Sequence, residues 1–127
     1  MSVHHLKDVP GTFFPAGRLT RVLAGPGAPE EPDHFVMGHV TIYPGGAVPG
    51  HTHIQEEVYF IVSGRGTVEL DRDRFSVEAG TFVAIRPEQW HSLENAGQEN
   101  LIMLFCYAPK GIVDHWRHEL EHQEGTT

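Results

Sequence analysis

His51, His53 and Glu57 are the residues whose types and spacing point most directly to chemistry: two imidazoles two positions apart and a carboxylate four further on. Side chains along a β-strand alternate between faces with period two. Positions 51, 53 and 57 are all odd, so an unbroken strand would put the three groups on one face. That face offers two neutral nitrogens and a carboxylate oxygen, a donor set suited to Zn, Fe, Mn, Ni or Cu. Glu56 is a competing carboxylate; parity sends it to the opposite face and leaves Glu57 with the histidines. His91 is the natural fourth donor. It follows the Pro87-Glu88-Gln89 loop and begins a strand that, in a small antiparallel barrel, could face the 51–57 segment.

Such a site needs strands to hold it, and the chain reads as strands. Residues 35–43, 57–62, 67–71, 75–77, 81–85, 90–93 and 101–107 are short runs rich in β-branched and aromatic residues, separated by polar turns. Fourteen glycines and nine prolines supply the turns. Strands at this spacing predict an all-β sandwich or barrel. Residues 1–34 read as flanking loops, with a short edge strand drawn from Phe13, Phe14, Leu19, Val22 and Leu23 and with Arg18 and Arg21 facing water. At the other end Ile112, Val113, Trp116 and Leu120 recur at helical spacing. They predict a short C-terminal helix over about 114–123, roughly three turns, with His115, His118 and His122 on its solvated face. No internal repeat is visible, so 1–127 reads as one domain with its barrel core at about 35–107.

The totals narrow the classes of function. A net charge of −8 argues against nucleic acid and anionic membrane surfaces as partners. The one cysteine, Cys106, precludes an intrachain disulfide, fits a reducing compartment and reads as a small core residue of an apolar strand. The first ten residues carry no long apolar run, so a cytoplasmic location is expected.

With His51, His53 and Glu57 framed by Gly45 and Gly64, the chain resembles the cupin family, whose first motif is G-x5-H-x-H-x3-E-x6-G; every fixed position matches. The second motif, G-x5-P-x-G-x2-H-x3-N, is met at Gly80, His91 and Asn95. Arg86 stands where the family usually has proline, and Glu88 where it usually has glycine. The resemblance implies a single-domain jelly-roll β-barrel with one divalent transition metal (Mn, Fe, Ni, Zn or Cu) held by His51, His53, Glu57 and His91. It also implies open coordination positions for a small-molecule substrate or ligand.

Further pocket candidates come from parity and position. Tyr59 shares the face of Glu57 and could present a phenol to substrate or serve in catalysis. Arg86 could clamp a carboxylate. His39 becomes an acid or base if its face of the 35–43 strand turns inward. Trp90 reads as a residue that packs and positions the loop before His91. The resemblance implies three function classes. The first is a metal-dependent enzyme acting without net redox change on an oxygenated organic acid or sugar-like compound, as an isomerase, lyase or decarboxylase. The second is a dioxygenase, and the third a non-catalytic binding module. Sheet edges covered or exchanged by the terminal segments make a homodimer the expected assembly.

Overall fold

The computed structural model describes residues 2–111 together with Trp116, Glu119 and Leu120. Among the described residues one 3-10 turn, Leu6–Asp8, precedes ten strands. These are β1 (Thr12–Phe14), β2 (Arg18–Ala24), β3 (Val36–Ile42), β4 (Ala47–His51), β5 (Glu56–Ser63), β6 (Arg65–Leu70), β7 (Asp73–Glu78), β8 (Phe82–Ile85), β9 (His91–Asn95) and β10 (Leu101–Ala108). They form a six-stranded sheet in the order β1-β2-β3-β10-β5-β8 and a four-stranded sheet in the order β4-β9-β6-β7. The ladders are antiparallel. The all-β jelly-roll expectation is met.

The alternation that marked these runs as strands also builds the core. Along β5, Glu57, Tyr59 and Ile61 are buried while Glu56, Val58, Phe60 and Val62 face out. β3 and β10 keep the same period, burying Val40 and Ile42, and Leu101, Met103, Phe105 and Tyr107. The four-stranded sheet answers with Val48, Val68, Val77 and Leu93, so the two sheets share one apolar core.

Two positions of the second motif now have physical reasons. Asn95 ends β9, donating from Nδ2 to the carbonyls of Ile42 and Glu99 and accepting at Oδ1 from the Gly97 amide. It thereby ties the four-stranded sheet to β3. Glu88 has φ +65°, in the left-handed region that favours glycine, so the position asks for the residue this chain lacks. Its amide donates to the His53 carbonyl at 2.7 Å, and that bond holds the loop under the histidines.

Three expectations need correction. The 51–57 segment is not one strand: β4 ends at His51, residues 52–55 lie outside the strands, and β5 begins at Glu56 on the other sheet. The N-terminal edge is two strands rather than one, and Arg18 is fully buried instead of facing water. Its neighbours inside the barrel, described below, supply the reason. Cys106 is exposed, because β10 buries its odd residues and turns the even ones outward. Pro49-Gly50 lies within β4, which carries an irregularity there. Of the predicted C-terminal helix, Trp116, Glu119 and Leu120 are helical, while 114–115, 117–118 and 121–123, with His115, His118 and His122, lie outside the described residues.

Candidate metal centre

β4 and β9 pair Val48 with Leu93 and His51 with His91, so three steps on β4 match two on β9. This is a one-residue bulge at Pro49-Gly50. Bulges bend a strand and re-aim its side chains. Proline suits the position because it has no amide to lose from the ladder. Gly50 suits it for a different reason: a Cβ there would run into the indole of Trp90. The Trp90 ring lies against the bare Gly50 backbone and clamps the end of β4 to the start of β9. The His51 and His91 rings meet at 4.1 Å between centroids.

His53 follows in the connection that crosses between sheets, its ring 4.8 Å from that of His91. The donor atoms of His51, His53 and His91 all lie within 4.8 Å of one another. Glu57 arrives from the opposite sheet. Its Oε1 is 3.0 Å from His53 Nε2 and 3.4 Å from His91 Nε2.

Each imidazole is oriented by the same device. His51 Nδ1 is 2.7 Å from the Pro49 carbonyl, His53 Nδ1 2.9 Å from that of Gln55, and His91 Nδ1 2.8 Å from that of Gln89. A carbonyl only accepts, so each Nδ1 carries a proton and, in the neutral ring, each Nε2 presents a lone pair. Fixing the tautomer through the far nitrogen is how proteins prepare histidine for a metal. His91 Nε2 is fully buried and has no hydrogen-bond partner among the described residues. Leaving such a group unsatisfied is costly, and a cation among the three lone pairs would satisfy it. The residues present therefore fit a divalent transition metal.

The electrostatics agree. Burial pushes the Glu57 carboxyl up, but the His53 and His91 imidazoles beside it outweigh that and hold it below the usual range. Burial likewise lowers His53, and the bond to Glu57 together with its charge more than compensates, so His53 is raised. An anionic Glu57 against three imidazoles forms a site for positive charge. Tyr59 is pushed far up, first by burial and then by the Glu57 charge, so its phenol stays protonated. Its ring lies 6.0 Å from that of His91.

The remaining candidates fall in different places. Tyr59 lines the cavity that contains His51, His53 and Glu57. Arg86 is exposed and lines a separate groove of ≈ 330 Å³ with Glu56, Ala84 and Cys106. His39 alternates with the buried Gly38 and Val40 and so points out of the sheet, away from the histidine cluster. Its pKa is lowered by burial and by the nearby Arg21 charge. Sequence reasoning missed Arg18, Thr20 and Trp116, all of which line the same cavity. A period-two reading of Arg18, Thr20 and Val22 was available as a signal for the first two. An acidic residue on the face shared by Trp116 and Leu120 was a signal for the segment that covers them.

Comparison with known proteins agrees with this geometry. A family model described as "Cupin domain" matches residues 38–107. An uncharacterised protein of Methanocaldococcus jannaschii, MJ1618, is 40% identical over 60 residues, covering 46% of this chain and 48% of its own. Gentisate 1,2 dioxygenase 1 of Aquipseudomonas alcaligenes is 33% identical over 64 residues, 50% of this chain and 18% of that one. This chain thus spans about half of the first relative and under a fifth of the second. Among solved structures, one described as a predicted oxalate decarboxylase from Thermotoga maritima superposes with a TM-score of 0.73. It is 17% identical, with 84% of this chain and 98% of that one covered.

Proposed function

From the premise that this chain belongs to the cupin family, we propose that it is a metal-dependent enzyme acting on an oxygenated organic acid or sugar-like small molecule by non-oxidative chemistry of the isomerase, lyase or decarboxylase type. His51, His53, His91 and Glu57 hold the metal. The observation that carries this reading is the convergence of three Nε2 lone pairs, each fixed by a carbonyl behind it, on a buried carboxylate. When bound, a divalent cation supplies Lewis-acid polarisation of a substrate oxygen.

The chain's own groups do the rest. Glu57, held anionic, offsets the cation's charge and keeps His53 and His91 in place. Tyr59, held protonated by burial, acts as a hydrogen-bond donor to an oxygen that gains negative charge, and never as a base at neutral pH. Val48, Met103, Phe105 and Trp116 line the remainder of the cavity and keep water from the reacting group. Loss of metal and turnover together in His51→Ala, measured by metal analysis and an assay across small hydroxy and keto acids, supports the proposal. Full turnover after chelation sinks it.

A dioxygenase is the second reading, favoured by the 33% identity with gentisate 1,2 dioxygenase 1. Oxygen uptake that depends on iron supports it, and turnover under strict anaerobiosis excludes it. The same site without turnover would be a binding module, recognised by ligand affinity with no product after prolonged incubation. The assembly that suits this surface is a homodimer. The outer face of the six-stranded sheet exposes Val58, Phe60, Val62 and Phe82 side by side, an apolar patch of the kind that marks contact sites. A second copy of the chain covers it across a two-fold axis. Light scattering would return twice the chain mass, falling to one chain mass in Phe60→Asp.

A further inference from the structure

β2 sends two polar side chains into the barrel, Arg18 and Thr20, which are 1% and 5% exposed. Both line the cavity that holds His51, His53 and Glu57. A guanidinium cannot shed its charge, so a buried one needs an anion. Two groups of the barrel prepare the fork. The Arg18 guanidinium lies over the Phe14 ring at 4.1 Å, and its Nη1 donates to the Ala47 carbonyl at 3.2 Å.

The anion comes from 101 residues away: the two Glu119 oxygens accept from Nη1 and Nη2, each at 2.6 Å. This is the two-pronged geometry by which arginine recognises carboxylates in general. Beside it the Thr20 hydroxyl is buried with no hydrogen-bond partner among the described residues. The Glu119 carboxylate therefore satisfies the fork and leaves a neighbouring hydroxyl unused. Trp116, three residues before Glu119, seals the same opening. Its ring packs on Phe14, Phe105 and Tyr107 at centroid distances of 6.2, 5.7 and 6.4 Å. With Trp116 in place the free cavity is ≈ 20 Å³, room for about one water. An organic molecule and the Trp116–Glu119 pair cannot both occupy it.

We propose that Arg18 and Thr20 form the carboxylate-binding subsite of the barrel, that Glu119 fills it as a tethered stand-in for a ligand's carboxylate, and that an organic acid enters by displacing Glu119 together with Trp116. The substrate class is then a small acid whose carboxylate takes the Arg18 fork. A further oxygen of that acid reaches Thr20, and its remaining end faces the histidines. This rests on the reading of the cavity as a site for an organic acid. The reverse reading, in which the Arg18–Glu119 pair is only a latch, predicts no affinity for free carboxylates.

The test uses the full chain, stripped of metal by chelation, with acetate as the probe. The Trp116 indole N–H signal in NMR is followed, assigned by its loss in Trp116→Phe. Glu119→Ala removes the tethered competitor, so acetate binds about tenfold or more tighter than to the unaltered chain. Acetamide, which has the shape without the charge, leaves the signal in place. Arg18→Gln combined with Glu119→Ala abolishes the acetate response. Should that double variant fail to fold, the thermal midpoint of Glu119→Ala decides. Acetate raises it well beyond what equal chloride does if Arg18 is a carboxylate site. Equal effects of acetate and chloride, or equal acetate affinity with and without Glu119, overturn the proposal. A Co(II) titration of the same sample reads the histidines separately. Co(II) binding without an acetate response refutes the subsite and spares the metal centre; an acetate response without Co(II) binding does the opposite.

Discussion

The two poles of the cavity are built on opposite plans. At the histidine pole every orienting bond is short in sequence: each Nδ1 reaches a carbonyl two residues away. At the arginine pole the deciding contact spans 101 residues, from β2 to Glu119. A locally braced group keeps its geometry when distant parts of the chain move, whereas a pair formed at long range exists only while its far partner is seated. The difference separates a fixed centre from an exchangeable one. Both poles bury charge, but only the second can trade its counter-ion for another without disturbing the barrel.

The largest loss is expected at the fixed pole. Replacing His91 by alanine removes one of four donors and should lower metal affinity by roughly two to three orders of magnitude. That is about a quarter of the ~10–16 kcal/mol typical of a four-ligand structural zinc site. Calorimetric titration with Co(II) or Zn(II) measures it. Loss at the exchangeable pole should be smaller and of another kind. Glu119→Ala should destabilise the fold by about 2–3 kcal/mol in urea, below the range for fully buried pairs because part of Glu119 still meets solvent. Its metal affinity should stay unchanged, and a parallel drop would erase the distinction between the poles.

The third test is pH. In metal-free protein Glu57 is lowered from 4.5, so its stabilisation is present above that value and fades as pH falls through the folded pKa. His53 is raised from 6.5, so its contribution is full below that value and fades as pH rises through the folded pKa. Stability should therefore peak between the two, and a urea series across pH should lose the alkaline decline in His53→Ala. The smallest effect lies in the loop beneath the centre. Glu88→Gly should relieve the left-handed backbone there and gain about 1 kcal/mol, read as a rise in thermal midpoint.

The same contrast explains what could be read from the sequence. The histidine pole was legible because its parts are local: two histidines and a glutamate at fixed offsets, with glycines at φ +80°, +92° and +92° at positions 45, 64 and 80. Strand positions followed from period-two alternation, which is also a local property. Yet the parity argument that joined His51, His53 and Glu57 on one strand does not describe the chain. His51 and Glu57 come from two sheets and His53 from the connection that crosses between them, and a bulge in β4 helps to bring the three together. Arg18 was placed in water because a charged residue near an apolar strand usually snorkels outward. Its buried counter-charge lies beyond any window a local reading uses. Cys106 was placed in the core because its strand is apolar on both faces, and composition alone does not say which face is covered. The odd-numbered neighbours Phe105 and Tyr107, once buried, settle it.

The bulge at Pro49-Gly50 carries a consequence for how this chain can change over generations. A strand counts in twos, and β4 reaches His51 on the correct side only because it counts one residue too many. Deleting either Pro49 or Gly50 would regularise the ladder and spare all four of the proposed ligands. It would also turn one imidazole away from the other two. Substitutions near the centre can be tested one side chain at a time, but a gap of a single residue here removes a donor that no alignment of residue types would report as lost.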